Sequence, residues 1–282
     1  MIDPTTEQSL IELVRHAART EIMPRFRNLA PSEIGTKSGP DDLVTIADRR
    51  AERVITDELA RILPKAAVVG EEACAENPAL LDTISSSELC VIVDPVDGTA
   101  NFAAGLALFG VILAVVHEGR TIFSLLYDPV LDDWVAARAG GGAWYGRPEL
   151  EPVRMRSRSA PPIDKMQGFL SLHLFAEPAR SALAARLPTL GLVRTLRCSC
   201  HEYRALALGH ADFNISAAAK PWDHAAGLVV LDEAGGASSA GGRRYDPARQ
   251  DVPILAVADP VCLEPMARHL DLFPSGHVSP SG

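Results

Sequence analysis

Leu10, Ile11, Val14, Ala17 and Ala18 recur at the spacing of one helix face, which predicts an amphipathic helix over residues 6–28. A polar connection follows, "PSEIGTKSGPDDLVT", with two Pro and two Gly. A second helix is predicted from about Ile46 to Ile62, with Thr45 placed to cap it. Two apolar runs, "AAVVGEE" and "ELCVIVDP", read as short buried strands that end in acids. Residues 107–137 are β-rich, and "HEGR" and "YDPVLDD" supply the turns of a meander. "AGGGAWYGRPEL" reads as a hairpin plus linker, because no helix pattern follows that could present a phosphate cradle. Past Arg156 strand and helix alternate. "MQGFLSLHL", "LVRTL", "DFNIS" and "VPILAVA" are the strands; "PARSALAARL", "HEYRALALG", "WDHAAGLVVLDEAGG" and "CLEPMARHL" are the helices. The chain therefore divides into an α+β half, residues 1–155, and a layered α/β half, residues 156–282, which together make one compact unit. The last segment, "FPSGHVSPSG", is expected to be a frayed tail.

Composition narrows the chemistry. With 282 residues and 47% hydrophobic content, the chain can bury a sizeable core. Its formal net charge of −9 argues against nucleic acid as a partner, but acidic side chains can serve as ligands for hard divalent cations. No basic segment followed by an apolar one marks a secretory signal, and no apolar run reaches the roughly 18 residues of a membrane span. The five cysteines, Cys74, Cys90, Cys198, Cys200 and Cys262, have neither zinc-site nor disulfide-framework spacing. They read as free thiols in a reducing cytoplasm.

The candidate chemistry sits where apolar runs stop. Glu71 and Glu72 end one, Asp94 and Asp97 end the next, and Asp223 falls in the first turn of a predicted helix. Each acid alone reads as a turn residue or a helix-terminal charge. An EF-hand starting at Asp94 fails, because Thr99 and Gly105 stand where its Gly and Glu are required. Together the acids need a counter-charge, since burying a bare carboxylate is costly. Pro95 fixes the backbone between Asp94 and Asp97, so both carboxylates and the Val96 carbonyl can face one point and form a hard oxygen site suited to Mg²⁺. Asp94 can bridge two ions, Glu71 serving one and Asp97 with Asp223 the other. Two ions about 4 Å apart form the clamp used in phosphoryl transfer. Gly98 and Thr99 open a possible short helix whose N–H groups can face an anion.

"TKSGPDDLVTIAD", "GEE", "CVIVDPVDGTANF" and "PWDHAAG", in this order along nearly the whole chain, resemble the motifs of the inositol monophosphatase family of Mg²⁺-dependent, Li⁺-sensitive phosphatases. Cys90 replaces the aromatic residue that opens the first signature. The resemblance implies a layered αβαβα sugar-phosphatase fold, a homodimer, two or three Mg²⁺ ions, and hydrolysis of a small phosphomonoester by metal-activated water without a phosphoenzyme. It also implies that Glu71, Asp94, the Val96 carbonyl, Asp97 and Asp223 hold metal. Thr99, bonded to Asp48, would position and help deprotonate the water together with Glu71. Lys37 would sit near the metal waters. Gly98 and Thr99 would bind phosphate.

The substrate side departs from the family pattern. Ser216 stands where the family has a Glu that contacts inositol hydroxyls. "CSCH" puts Cys200 where a small residue offers its N–H to the substrate, so that Asp97, Cys200, Ser216 and Asp223 are the expected substrate contacts. Ala100 replaces a frequent second Thr. Inositol 1-phosphate leads as substrate and histidinol phosphate is the alternative, ahead of 3′(2′),5′-bisphosphate nucleotides and fructose 1,6-bisphosphate. A purely regulatory binding role is disfavoured because every expected metal ligand is present. His201 and Arg204 read as a helix cap and a surface charge, His173 as a core or edge residue, and His224 is given no role.

Overall fold

The computed structural model describes residues 2–37, 39 and 42–273. The expected frayed tail, from residue 274 on, lies outside them, as do Ser38, Pro40 and Asp41 of the polar connection. Helix α1 spans Pro4–Ala17 and starts earlier than the apolar spacing suggests, because the Asp3 carboxylate caps it and Pro4 occupies its first turn. It does not run on to residue 28. Pro24 has no N–H and crowds the preceding turn, so the chain widens to a π-helix over Ala18–Ile22 and tightens to a 3₁₀ turn over Met23–Arg25. Strands β1 (Ile34–Thr36) and β2 (Leu43–Thr45) form a small hairpin across the polar connection. Helix α2 runs from Ile46 to Ile62 as expected, with Thr45 and Asp48 forming its capping box.

The large sheet follows. Its seven strands lie in sequence order: β3 (Ala67–Gly70), β4 (Leu89–Asp97), β5 (Gly110–His117), β6 (Arg120–Asp128), β7 (Asp133–Arg138), β8 (Gly142–Gly146) and β9 (Val153–Arg154). Short helices α3 (Glu71–Glu76), α4 (Thr83–Ser86) and α5 (Thr99–Ala103) interrupt them. Only the β3–β4 pair is parallel; β4 to β9 form the meander and hairpin anticipated above. The apolar runs are unbroken because both faces are covered. Val91, Val93, Val111, Leu113 and Val115 pack towards α1 and α2, while Cys90, Ile92, Ile112, Ala114 and Val116 pack into the interior on the other side.

The C-terminal half continues with β10 (Gln167–Leu170), α6 (Ala179–Arg186), β11 (Leu192–Arg194), α7 (Ser199–Ala207), β12 (Phe213–Ser216), α8 (Pro221–Ala234), β13 (Ala237–Ala240), β14 (Ile254–Val257) and α9 (Leu263–Leu270). Its sheet has the order β11-β10-β12-β14-β13 and is mixed rather than parallel throughout. Strand β13, "ASSA", has no apolar signature; it is fully buried and is held by pairing with β14. Helices α7 and α8 lie between the two sheets, and α6 and α9 contribute Leu183, Leu263, Met266 and Leu270 to the outer face of the second. The layers are thus α1/α2, large sheet, α7/α8, small sheet and α6/α9, the αβαβα order expected from the sequence.

Helix α8 is buried on nearly every side, as a helix between two sheets must be. At Gly227 it packs directly against α7, and a Cβ there would run into the Tyr203 ring. Gly227→Ala is therefore expected to overpack the central layer and destabilise the fold by about 2 kcal/mol. Thermal and urea unfolding measure this; an unchanged midpoint would show that the α7–α8 contact yields freely.

Candidate active site

Strand β4 delivers the first acids. It carries Asp94 and Asp97 to its C-terminal end, where its register against β5 shifts between the two. The Val96 N–H donates to Asp94 Oδ1 at 3.1 Å and fixes that side chain. Gly98 then turns the chain with φ 87°. A side chain there would be strained, and its Cβ would sit 3.0 Å from the Leu108 carbonyl. Asn101 pins the turn by donating to the Leu108 carbonyl at 2.9 Å and the Leu196 carbonyl at 2.8 Å.

Asp223 arrives from the first turn of α8. Ligand atoms of Asp94, Asp97 and Asp223 all lie within 4.8 Å of one another. Among the described residues no Lys, Arg or His forms an ion pair with any of the three. Burial raises all three carboxyls well above their ordinary range; Glu71 adds to this for Asp94 and Asp223, and Asp223 does so for Asp97. Three hard oxygen donors, two buried and Asp223 half-buried, with unbalanced charge fit a divalent cation such as Mg²⁺.

Glu71 lines the same cavity but is not part of this trio. Its Oε1 lies 2.6 Å from Lys37 Nζ, which also reaches Glu72 Oε1 at 2.8 Å. Burial would lower the Lys37 pKa, but the two glutamates outweigh it and hold it up. Glu72 is pushed up to about 8 by burial and by Glu71. Glu52, which the sequence reading overlooked, accepts from the Glu72 and Ala73 N–H groups at 2.8 Å each and sets where α3 starts. A Cβ on Gly70 would strike the Glu52 carboxyl at 2.2 Å, so the glycine of "GEE" makes room for this cap.

The expected pair of Thr99 and Asp48 is present. Thr99 Oγ1 lies 3.0 Å from Asp48 Oδ1 and 3.0 Å from the Val96 carbonyl. Asp48 is pushed up to about 6 by burial, against the donors of Thr45.

Of these groups, Glu71, Asp97, Thr99 and Asp223 line a cavity of about 440 Å³ that Gly98, Ser216, His224 and Lys220 also line. Cys200 departs from expectation. It is fully buried, its N–H is already given to Asp97 Oδ2 at 2.5 Å, and it packs beneath Gly110. Cys198 and Ser199 reach the cavity instead, and the Cys198 thiol donates to Asp97 Oδ2 at 3.1 Å. All five cysteines are free. Arg204 is no surface charge: it is buried, bonds to the Leu126 carbonyl at 2.9 Å and pairs with Asp133. His201 contacts the Phe109 carbonyl at 3.0 Å. His173 is exposed and lines the cavity rather than the core.

Among the cavity residues that the sequence reading did not single out are Arg197, Glu202 and Asn214, and His224, given no role there, lines the cavity too. Glu202 is buried, accepts from the Leu196 N–H at 2.9 Å, and is pushed up to about 7 by burial. The one available signal was period: Glu202 lies one helical turn from Ser199, and Asn214 shares a strand face with Ser216. His224 bridges Tyr203 and Ser216, and burial drives it down to about 3.

The comparisons with known proteins agree with this geometry. The profile of the Inositol monophosphatase family matches residues 4–260. The chain is 32% identical over 203 residues to the bifunctional phosphatase IMPL2, chloroplastic, of Arabidopsis thaliana, covering 70% of this chain and 54% of that one, about half its length. It is 31% identical over 207 residues to the inositol-1-monophosphatase of Bacillus subtilis, covering 72% and 74%. Its fold matches the solved IMPase of Thermotoga maritima with a TM-score of 0.76 at 23% identity, over 95% of this chain and 96% of that one. No helix among the described residues is long and apolar enough to cross a membrane.

The acid trio makes the cation-free protein sensitive to pH. A carboxyl whose pKa rises on folding holds its proton more tightly when folded. The stability from that proton is complete below the unfolded value of 3.8 and is lost as pH rises through the folded value, about 8 for Asp97. Protein stripped with EDTA is expected to lose stability between about pH 4 and pH 8, and added Mg²⁺ to restore more at pH 8 than at pH 5. Denaturant titrations at the two pH values check this; equal Mg²⁺ stabilisation at both would count against the trio as the cation site.

Proposed function

This chain belongs to the inositol monophosphatase family, and from that premise we propose that it is a Mg²⁺-dependent phosphomonoesterase acting on a small phosphorylated polyol such as inositol 1-phosphate. The observation that carries the reading is the convergence of buried Asp94 and Asp97 with half-buried Asp223 beside the Thr99–Asp48 pair. Glu71, Asp94, the Val96 carbonyl, Asp97 and Asp223 would hold the metal. When bound, it supplies positive charge and Lewis acidity for phosphoryl transfer.

The chain's own groups do the rest. The leading N–H groups of α5, Gly98 and Thr99 among them, lack intrahelical acceptors and receive the phosphate oxygens. Thr99 Oγ1 orients the attacking water and hands a proton towards Asp48 Oδ1, whose raised proton affinity suits a base. Lys37 keeps Glu71 fixed at the cavity wall. The same reading carries Li⁺ sensitivity, a cytoplasmic location and a homodimer.

The test is phosphate release from a panel of phosphomonoesters with and without Mg²⁺. Wild type is expected to require Mg²⁺, and Asp223→Asn to lose roughly 100-fold or more in kcat/KM. Release that persists without divalent cation, or survives the substitution, would overturn the reading.

A further inference from the structure

One wall of the cavity, around Ser216, is organised by a chain of three side chains with a fixed direction. Ser216 Oγ lies 2.9 Å from the Ala218 carbonyl, which can only accept, so the hydroxyl proton is committed there. His224 Nε2 lies 3.2 Å from the same Oγ and must then donate to it. That places a proton on Nε2 and leaves Nδ1, 2.8 Å from the Tyr203 hydroxyl, to accept from the phenol. Tyr203 is fully buried and does not line the cavity. Ser216 does line it, and its oxygen has used one lone pair on His224. The lone pair that remains can only accept.

We propose that Tyr203 and His224 are positioning residues that hold Ser216 Oγ as a hydrogen-bond acceptor towards the leaving group, so that the site selects phosphate esters whose alcohol bears a further O–H or N–H donor. This rests on the phosphatase reading and deepens it. Asn214, on the same face of β12, and the Glu202 carboxylate line the same wall and add further acceptors. A polyol hydroxyl and an amino-alcohol ammonium share the required donor chemistry. A plain aryl phosphate lacks it.

Two measurements test the proposal. The first does not depend on turnover: ¹⁵N NMR of histidine-labelled protein, with the His224 signal assigned by its loss in His224→Gln. The Nε2–H form supports the chain of bonds, and the Nδ1–H form overturns it. The second compares kcat/KM for inositol 1-phosphate and histidinol phosphate, each relative to phenyl phosphate. Ser216→Ala is expected to lower at least one ratio about tenfold through KM, and Ser216→Thr to restore it. The ratio that falls identifies a hydroxyl or an ammonium as the donor. Ratios that do not move in Ser216→Ala overturn the proposal. Hydrolysis of none of the three esters by wild type with Mg²⁺ would instead count against the phosphatase reading, and the tautomer would still decide the fate of the hydrogen-bond chain.

Discussion

Three carboxylates gathered within reach of one another, two of them buried and none in an ion pair among the described residues, set the terms for the whole molecule. Left to themselves they would separate or take up protons. The fold prevents separation by anchoring each one to backbone. Asp94 is tied to its own strand, Asp97 to the start of α7, and Asp223 to the first turn of a helix that cannot tilt. Repulsion that cannot relax is what gives such a site its affinity for a small hard cation. Lys37 is engaged with Glu71 and Glu72, and Lys220 lines the same cavity; both charges favour the ionised Asp223, but among the described residues neither forms an ion pair with the trio.

The two sheets divide the labour. The large sheet supplies charge through the end of β4, and the small sheet brings Asn214 and Ser216 of β12 to the cavity wall. The central layer joins them. Arg204 fastens α7 to the large sheet through the Leu126 carbonyl and Asp133, which in turn accepts from Tyr145 at 2.8 Å. A buried ion pair of this kind adds little net stability, but losing one partner is costly.

Much of this could be read from residues in order. Continuous burial along β4 and β5 matches their unbroken apolar runs, and "DPVDGT" with "WDHAAG" named the acids and the glycine turn. What stayed hidden depends on partners distant in sequence. Glu52 looks like a surface acid on an amphipathic helix until β3 brings an N-terminus to it. Arg204 looks like a surface charge until β6 and β7 enclose it. Strand β13 has small residues that carry no period. Cys200 was expected to offer its N–H to a substrate, but the local turn gives that N–H to Asp97. Each miss is a tertiary constraint with no short-range signature.

Helix α8 presents Asp223 and His224 side by side, one towards the cation site and one towards Ser216. Because it is wedged between two sheets, neither residue can be adjusted by moving the helix without disturbing the other. Variation in the shape of the cavity is therefore channelled to the places α8 does not hold: the turn at Arg197 and the rim around His173. Chemistry and selectivity share an axle, and only the outer bearings are free to change.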